Sequence, residues 1–174
     1  NGKLFLADGE YLDEKTKSVK RVAKPNEWST WDKTTNTWKI DNSLLESKKN
    51  ELKKKLLQDL AEAKSNYLNQ TIEIEKTGKK YTFENNEKNR NRLSLKISLM
   101  WILGQEKIEK VKAQNGKGLV EFIELNREEL KVLSKKIQDI IQVADIAEQM
   151  AVTGLERYNI EQLLELDVND FFKN

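Results

Sequence analysis

Apolar positions in this chain change period several times, and each change predicts a change of element. Thr71-Ile-Glu-Ile-Glu75 and Lys80-Tyr-Thr-Phe-Glu84 alternate at period two, and Lys76-Thr-Gly-Lys79 between them holds the glycine a tight turn needs. This predicts a hairpin over about 71–84 with Ile72, Ile74, Tyr81 and Phe83 on its buried face. On either side the spacing lengthens to threes and fours. Leu45, Leu52, Leu56, Leu60, Ala63 and Tyr67 predict a helix from Ser43 to about Leu68, opened by a capping box between Ser43 and Glu46. Its apolar stripe is narrow, as in one-sided packing or a coiled-coil seam. Leu93, Ile97, Met100, Trp101, Ile108 and Val111 predict a second helix, capped by Asn85 or Asn86 and reaching about Ala113. Gly104 offers that helix a point of close approach, and Gln114-Asn-Gly-Lys-Gly118 stops it.

Leu119-Val-Glu-Phe-Ile-Glu-Leu125 reads as a strand (about 119–125), and Asn126-Arg-Glu-Glu129 as the cap of a third helix. That helix is expected to run to about Ala151 and to stop at Gly154, with Leu130, Leu133, Ile137, Ile140, Ala144, Ala147 and Ala151 facing inward. Asn159-Ile-Glu-Gln162 opens a short final helix. The three long helices show no repeat against one another. Upstream, Phe5-Leu6 before Ala-Asp-Gly, Tyr11-Leu12, and Ser18–Ala23 read as short strands and turns closed by Pro25. The expected class is α+β: a β-rich head over 1–42, then a helical domain over 43–174 carrying the inserted hairpin and strand.

Composition narrows the chemistry. Of 174 residues, 37 % are hydrophobic and 34 % charged, a ratio suited to a helix-rich chain. No apolar run approaches 18 residues, so no membrane span is expected. The first residue is Asn, which reads as a trimmed or processed product. Cysteine and histidine are absent, which removes disulfides, thiol nucleophiles, the usual zinc sites and any Ser-His or Cys-His pair. Charge is uneven: residues 43–113 carry a net +6 and residues 114–174 a net −5, so the halves attract, within one chain or between subunits.

Candidate chemistry is thin. Glu73/Glu75 lie on the expected solvent face of the hairpin, Glu121/Glu124 belong to the expected strand, and Glu128/Glu129 occupy a first helical turn where the macrodipole favours acids. Asp139 and Asp145 do not share a helix face, and Gly116/Gly118 lack the residues that complete a phosphate loop. The reading is therefore non-enzymatic: no catalytic residue, no metal and no cofactor. Lys88, Arg90, Arg92, Lys96, Lys107, Lys110 and Lys112 enrich the expected second helix and supply one alternative, a nucleic-acid-binding module.

The remaining signal is aromatic. Trp101 falls on the apolar stripe of the second helix and is expected in the core. Trp28, Trp31 and Trp38, with Pro25, fill a short segment of the head and form either a structural clasp or a partner-docking surface. The same indoles supply a second alternative, a host-surface glycan adhesin.

The order of these signals carries a resemblance. Pro25 is followed by Trp31-Asp32…Trp38 leading into Ile40-Asp41 and a charged helix. Then come Tyr81-Thr-Phe83, the polar run Glu84–Leu93, Trp101, Val120–Asn126 and Glu128–Leu133. This resembles small tailed-phage and prophage proteins with a domain of unknown function found beside tail fibres, and the Trp-Asp…Trp-to-helix portion is similar to tail-fibre assembly proteins. The likeness covers roughly 28–150; the chain departs from the assembly-protein pattern in a longer acidic extension, 154–174. The resemblance implies docking onto a phage tail fibre or tail protein, as an assembly chaperone or a small virion component. It implies location in the host cytoplasm during assembly and in the virion tail. The narrow helical stripes add the expectation of a homo-oligomer or an obligate hetero-complex.

Overall fold

The computed structural model describes residues 6–173, apart from the side chains of residues 108 and 109. Phe5 therefore lies outside the described residues, as does the side chain of Ile108. The architecture is α+β, with antiparallel sheets and long helices in two compact units, 6–56 with 157–166 and 57–156 with 167–173. No helix among the described residues is long and apolar enough to cross a membrane.

The first unit opens with two hairpins, β1 (Glu10–Asp13) with β2 (Ser18–Arg21) and β3 (Ser29–Asp32) with β4 (Thr37–Ile40). They are copies of one design. Each pairing of the first recurs 19 residues later: Glu10↔Arg21 as Ser29↔Ile40, Asp13↔Ser18 as Asp32↔Thr37. The turn chemistry recurs too. Asp13 Oδ1 accepts from the amides of Lys15 and Thr16, as Asp32 Oδ1 does from Thr34 and Thr35. Lys17 and Asn36 hold the left-handed position that ends each loop, at φ 54° and 52°. Outside each hairpin one more bond closes the loop: Val22 N donates to Gly9 O at 2.7 Å, and Asp41 N to Trp28 O at 2.9 Å.

That closing bond also explains how the first long helix begins. Helix α1 spans Asn42–Leu68 and is capped by Asp41, whose carboxylate accepts from the amides of Ser43 (2.9 Å) and Leu44 (3.1 Å). The capping box expected at Ser43 and Glu46 does not form. Asp41 is already held at the end of the hairpin, and a carboxylate there also meets the helix dipole.

The second unit is built on a four-stranded antiparallel meander, in order β5 (Thr71–Lys76), β6 (Lys79–Glu84), β7 (Lys107–Asn115), β8 (Val120–Asn126). The β5–β6 hairpin forms as the alternation predicts, turning on Thr77 and Gly78 at positive φ. Ile72, Ile74, Tyr81 and Phe83 are buried in one cluster with Val111, Ala113, Ile123 and Leu125 of the other two strands. Helix α2 (Glu87–Ile102) adds Leu93 and Met100, and helix α3 (Arg127–Arg157) adds Leu130 and Leu133. Asn86 caps α2 through its side chain. Asn126 and Glu129 cap α3 by exchanging hydrogen bonds of 2.9 and 2.8 Å.

Four expectations for this unit are corrected. Helix α2 stops at Ile102, not near Ala113. Gln105 N donates to Met100 O and Gly104 N to Trp101 O around Gly104 at φ 64°, a Schellman ending. Gly104 is thus a helix stop; a Cβ there would meet nothing within 4 Å, so it is no point of close approach. The residues beyond it form β7. Its register sets Ile108 opposite Leu125 and Val111 opposite Ile123, with Lys110 at φ 58° in a bulge between them. The bulge inserts one residue, so two positions of a strand stand three apart and imitate helical spacing. The Gln114–Gly118 segment then ends β7 and enters the β7–β8 turn, where Asn115 Oδ1 accepts from the amides of Lys117 and Leu119. Finally, α3 runs through Gly154 to Arg157, because Leu155 is buried just beyond it and that burial outweighs the roughly 1 kcal/mol helix penalty of glycine.

Part of the uneven charge is paired inside this unit. Lys64 of α1 reaches Asp145 (2.8 Å) and Glu148 (2.7 Å) of α3, Lys76 reaches Glu129, and Lys107 reaches Glu124. The hydrogen bonds to Asp145 and Glu148 push the Lys64 ammonium above its ordinary pKa. The last α-helix, α4 (Ile160–Glu165), begins where expected, on a capping box of Asn159 and Gln162.

Candidate functional site

The tryptophan segment is organised by the second hairpin. Trp31 and Trp38 are paired directly across β3 and β4, and their rings meet edge to face with centroids 5.3 Å apart. The indole N–H of Trp38 donates to Val22 O at 3.0 Å, so the second hairpin is fastened to the chain leaving the first. The Lys24 ammonium sits 5.7 Å from the centroid of the same ring. Gly9 lies beneath it: a Cβ there would stand 3.2 Å from Trp38 Cζ2 and 2.7 Å from Val22 O. Trp38 is therefore the clasp of the head.

Trp28 contributes its carbonyl to the closure of the second hairpin, and its side chain is half-buried, as are those of Trp31 and Trp38. Pro25 is exposed in the connection between the hairpins. Beside the clasp, Asp8, Arg21, Val22, Ala23, Lys24 and Trp38 line an open depression of about 550 Å³. Of the four residues singled out in the sequence, the structure brings Trp31 and Trp38 into contact and places one of them on this depression.

The electrostatics of the head follow its repeat. A hydrogen bond from Lys20, then amides of Lys15 and Thr16, lower the Asp13 carboxyl to about 2. Lys39 and the Thr34 amide hold Asp32 well below the usual carboxylate range. Both folded pKa values are depressed, so the stability these groups contribute is present above about 3.8 and is lost as pH falls through the folded values, near 2 for Asp13. Acid titration is expected to shift the tryptophan emission between about pH 4 and 2, and the Asp13→Asn/Asp32→Asn variant to lose that transition. An identical acid transition in the variant would contradict this assignment.

The other candidates disperse. Trp101 is 56 % exposed, with the Arg127 guanidinium 4.7 Å from its ring centroid, so it is not a core residue. Met100 takes the inward position, and the next residue points a quarter-turn away. Lys107, Lys110 and Lys112 stand on β7 rather than on the second helix. Arg90 is turned to the carbonyls of Leu68, at the end of α1, and Asn85, just before α2. The expected basic helix is therefore split between two elements and partly used internally. Among the described residues, no group of three or more acidic side chains could hold a metal ion. Comparison with protein-family models, curated proteins and solved structures finds no match to this chain.

Two features escape a reading by hydrophobic period. The hairpin repeat leaves a trace, Asp-x-x-Thr-x-Ser/Thr-x-Lys, at 13–20 and again at 32–39, visible once offsets of 19 are compared. The second feature is an outer apolar stripe on α2, Leu95, Leu99 and Ile102, all exposed.

Proposed function

We propose that the chain is a non-enzymatic docking protein associated with phage tail fibres, acting as a fibre-assembly chaperone or a small structural tail component. The resemblance in the order of its motifs supplies the biological setting. The observation that carries the docking role is the Trp31–Trp38 pair, two half-buried indoles of which Trp38 lines an open depression on a paired-hairpin head. Half-buried, rigidly held tryptophans are what protein interfaces use as anchors. The partner is a fibre or tail protein, met in the host cytoplasm and retained in the virion if the role is structural.

Co-expression with a phage tail-fibre protein tests this. Co-purification is expected, and Trp28→Ala/Trp31→Ala is expected to weaken it about tenfold or more while the Trp38 clasp and the helical circular dichroism persist. Failure to co-purify, or recovery indifferent to both substitutions, would sink the docking role.

A further inference from the structure

Helix α2 is apolar on two sides. Leu93 and Met100 enter the core, whereas Leu95, Leu99 and Ile102 form a second stripe at i, i+4, i+7, with Leu95 62 % and Ile102 77 % exposed. A surface helix with one covered face ordinarily carries charge on the other. Beside this stripe a groove of about 350 Å³ opens between α2 and β7, with Phe83, Leu93 and Val111 as its floor. Leu95 and Phe122 make its walls, and Phe122 is 68 % exposed. Around it stand Arg92, Lys96, Lys110 and Lys112, and none of the described lining residues is acidic. One of these cations is tied back, since Lys96 Nζ donates to Lys110 O at 2.7 Å, which braces the helix against the bulge of β7. The groove lies wholly within the second unit.

We propose that this groove and the Leu95–Leu99–Ile102 stripe bind an acidic amphipathic helix of a partner protein. The stripe covers about two helical turns, roughly 10 Å, the length over which a docked helix presents anchors at i, i+3 or i+4, and i+7. The cationic rim selects the sign of the partner's flanking charges. A second copy of this chain fits less well. Its acidic segment near the C-terminus already buries Ile160, Leu163 and Val168 in its own fold. Nucleic acid also fits less well, because the cations surround an apolar hollow instead of tracking a strand with stacking aromatics. The surface shares no residue with the tryptophan head, so this proposal does not depend on the docking role assigned there.

Random peptides displayed on a carrier would be selected against the full chain, with counter-selection on Leu95→Glu/Phe122→Glu. Recovered peptides are expected to be acidic, with large apolar residues at helical spacing. A synthetic copy of the best one should bind the wild type in a salt-sensitive way and lose about tenfold or more on Lys110→Glu/Lys112→Glu, which leaves the apolar walls intact. Peptides without acidic bias, peptides indifferent to both variants, or no recoverable binder would overturn the proposal. Two further results would overturn it as well. Self-association abolished by Leu95→Glu would assign the groove to a second copy. Duplex DNA binding abolished by Lys110→Glu/Lys112→Glu, with no peptide binding, would assign it to nucleic acid.

Discussion

Replacing Gly9 by alanine is expected to open the first hairpin and release the second from it. Gly9 sits at φ 87°, where any L side chain is strained by about 1–2 kcal/mol. The new methyl would also stand 2.7 Å from Val22 O, a backbone atom that cannot swing away. That oxygen receives the Trp38 indole N–H, while Val22 N donates back to Gly9 O. One carbon therefore disturbs both the closure of the first hairpin and the clasp. A loss of about 2–4 kcal/mol from the head is expected, seen as a red-shifted tryptophan emission and lost amide protection over residues 10–21. The repeat supplies the control. Trp28 occupies the equivalent position of the second hairpin, so the hairpin design itself does not demand glycine. What demands it at position 9 is the strained backbone together with the docked indole. Gly9→Ala in a Trp38→Ala background should accordingly cost less than in the wild type. Unchanged emission and protection in Gly9→Ala would show that the clasp does not hold the head.

Leu125→Ala is expected to weaken the second unit by about 3–4 kcal/mol. Leu125 is 0 % exposed and sits on β8 in the cluster shared by the sheet, α2 and α3. The substitution removes buried methyl groups and leaves a cavity that a meander pinned by two helices closes only in part. Domains of this size retain roughly 5–15 kcal/mol in all, so the loss is a large share and should lower the urea midpoint markedly. Phe122, three residues earlier on the same strand, faces solvent, and Phe122→Ala should stay within about 0.5 kcal/mol. A Leu125→Ala midpoint close to that of Phe122→Ala would refute this placement of the core.

The contrast between β5–β6 and β7 shows where sequence reading succeeds and where it stops. The first hairpin of the meander alternates without interruption around a glycine turn, so its elements and its buried face are legible in a dozen residues. In β7 the bulge at Lys110 restores three-residue spacing between Ile108 and Val111, and a strand looks like a continuation of the preceding helix. Gly104 held the right information, but an isolated glycine inside an apolar pattern does not announce whether it is a stop or a packing point. The candidate site divides in the same way. The tryptophans of the head stand out by composition, yet their division of labour is invisible until the hairpins are superposed. Only then is Trp38 seen as the fastening and Gly9 as its seat.

By itself the sequence determined what neighbours along the chain decide: the period-two hairpin, the reciprocal caps Asn126–Glu129 and Asn159–Gln162, and the α+β class. These depend on bonds spanning a few residues and are formed wherever the right side chains recur. The tertiary structure alone decided that Asp41 and not Ser43 caps α1, that Trp101 faces outward, that α3 passes through Gly154, and that α2 keeps a second apolar face uncovered. The first rests on the hairpin closure that holds Asp41 against Trp28, and the others on which helix faces the rest of the fold covers. Burial gained there outweighs local preferences of about 1 kcal/mol, and no local pattern records it.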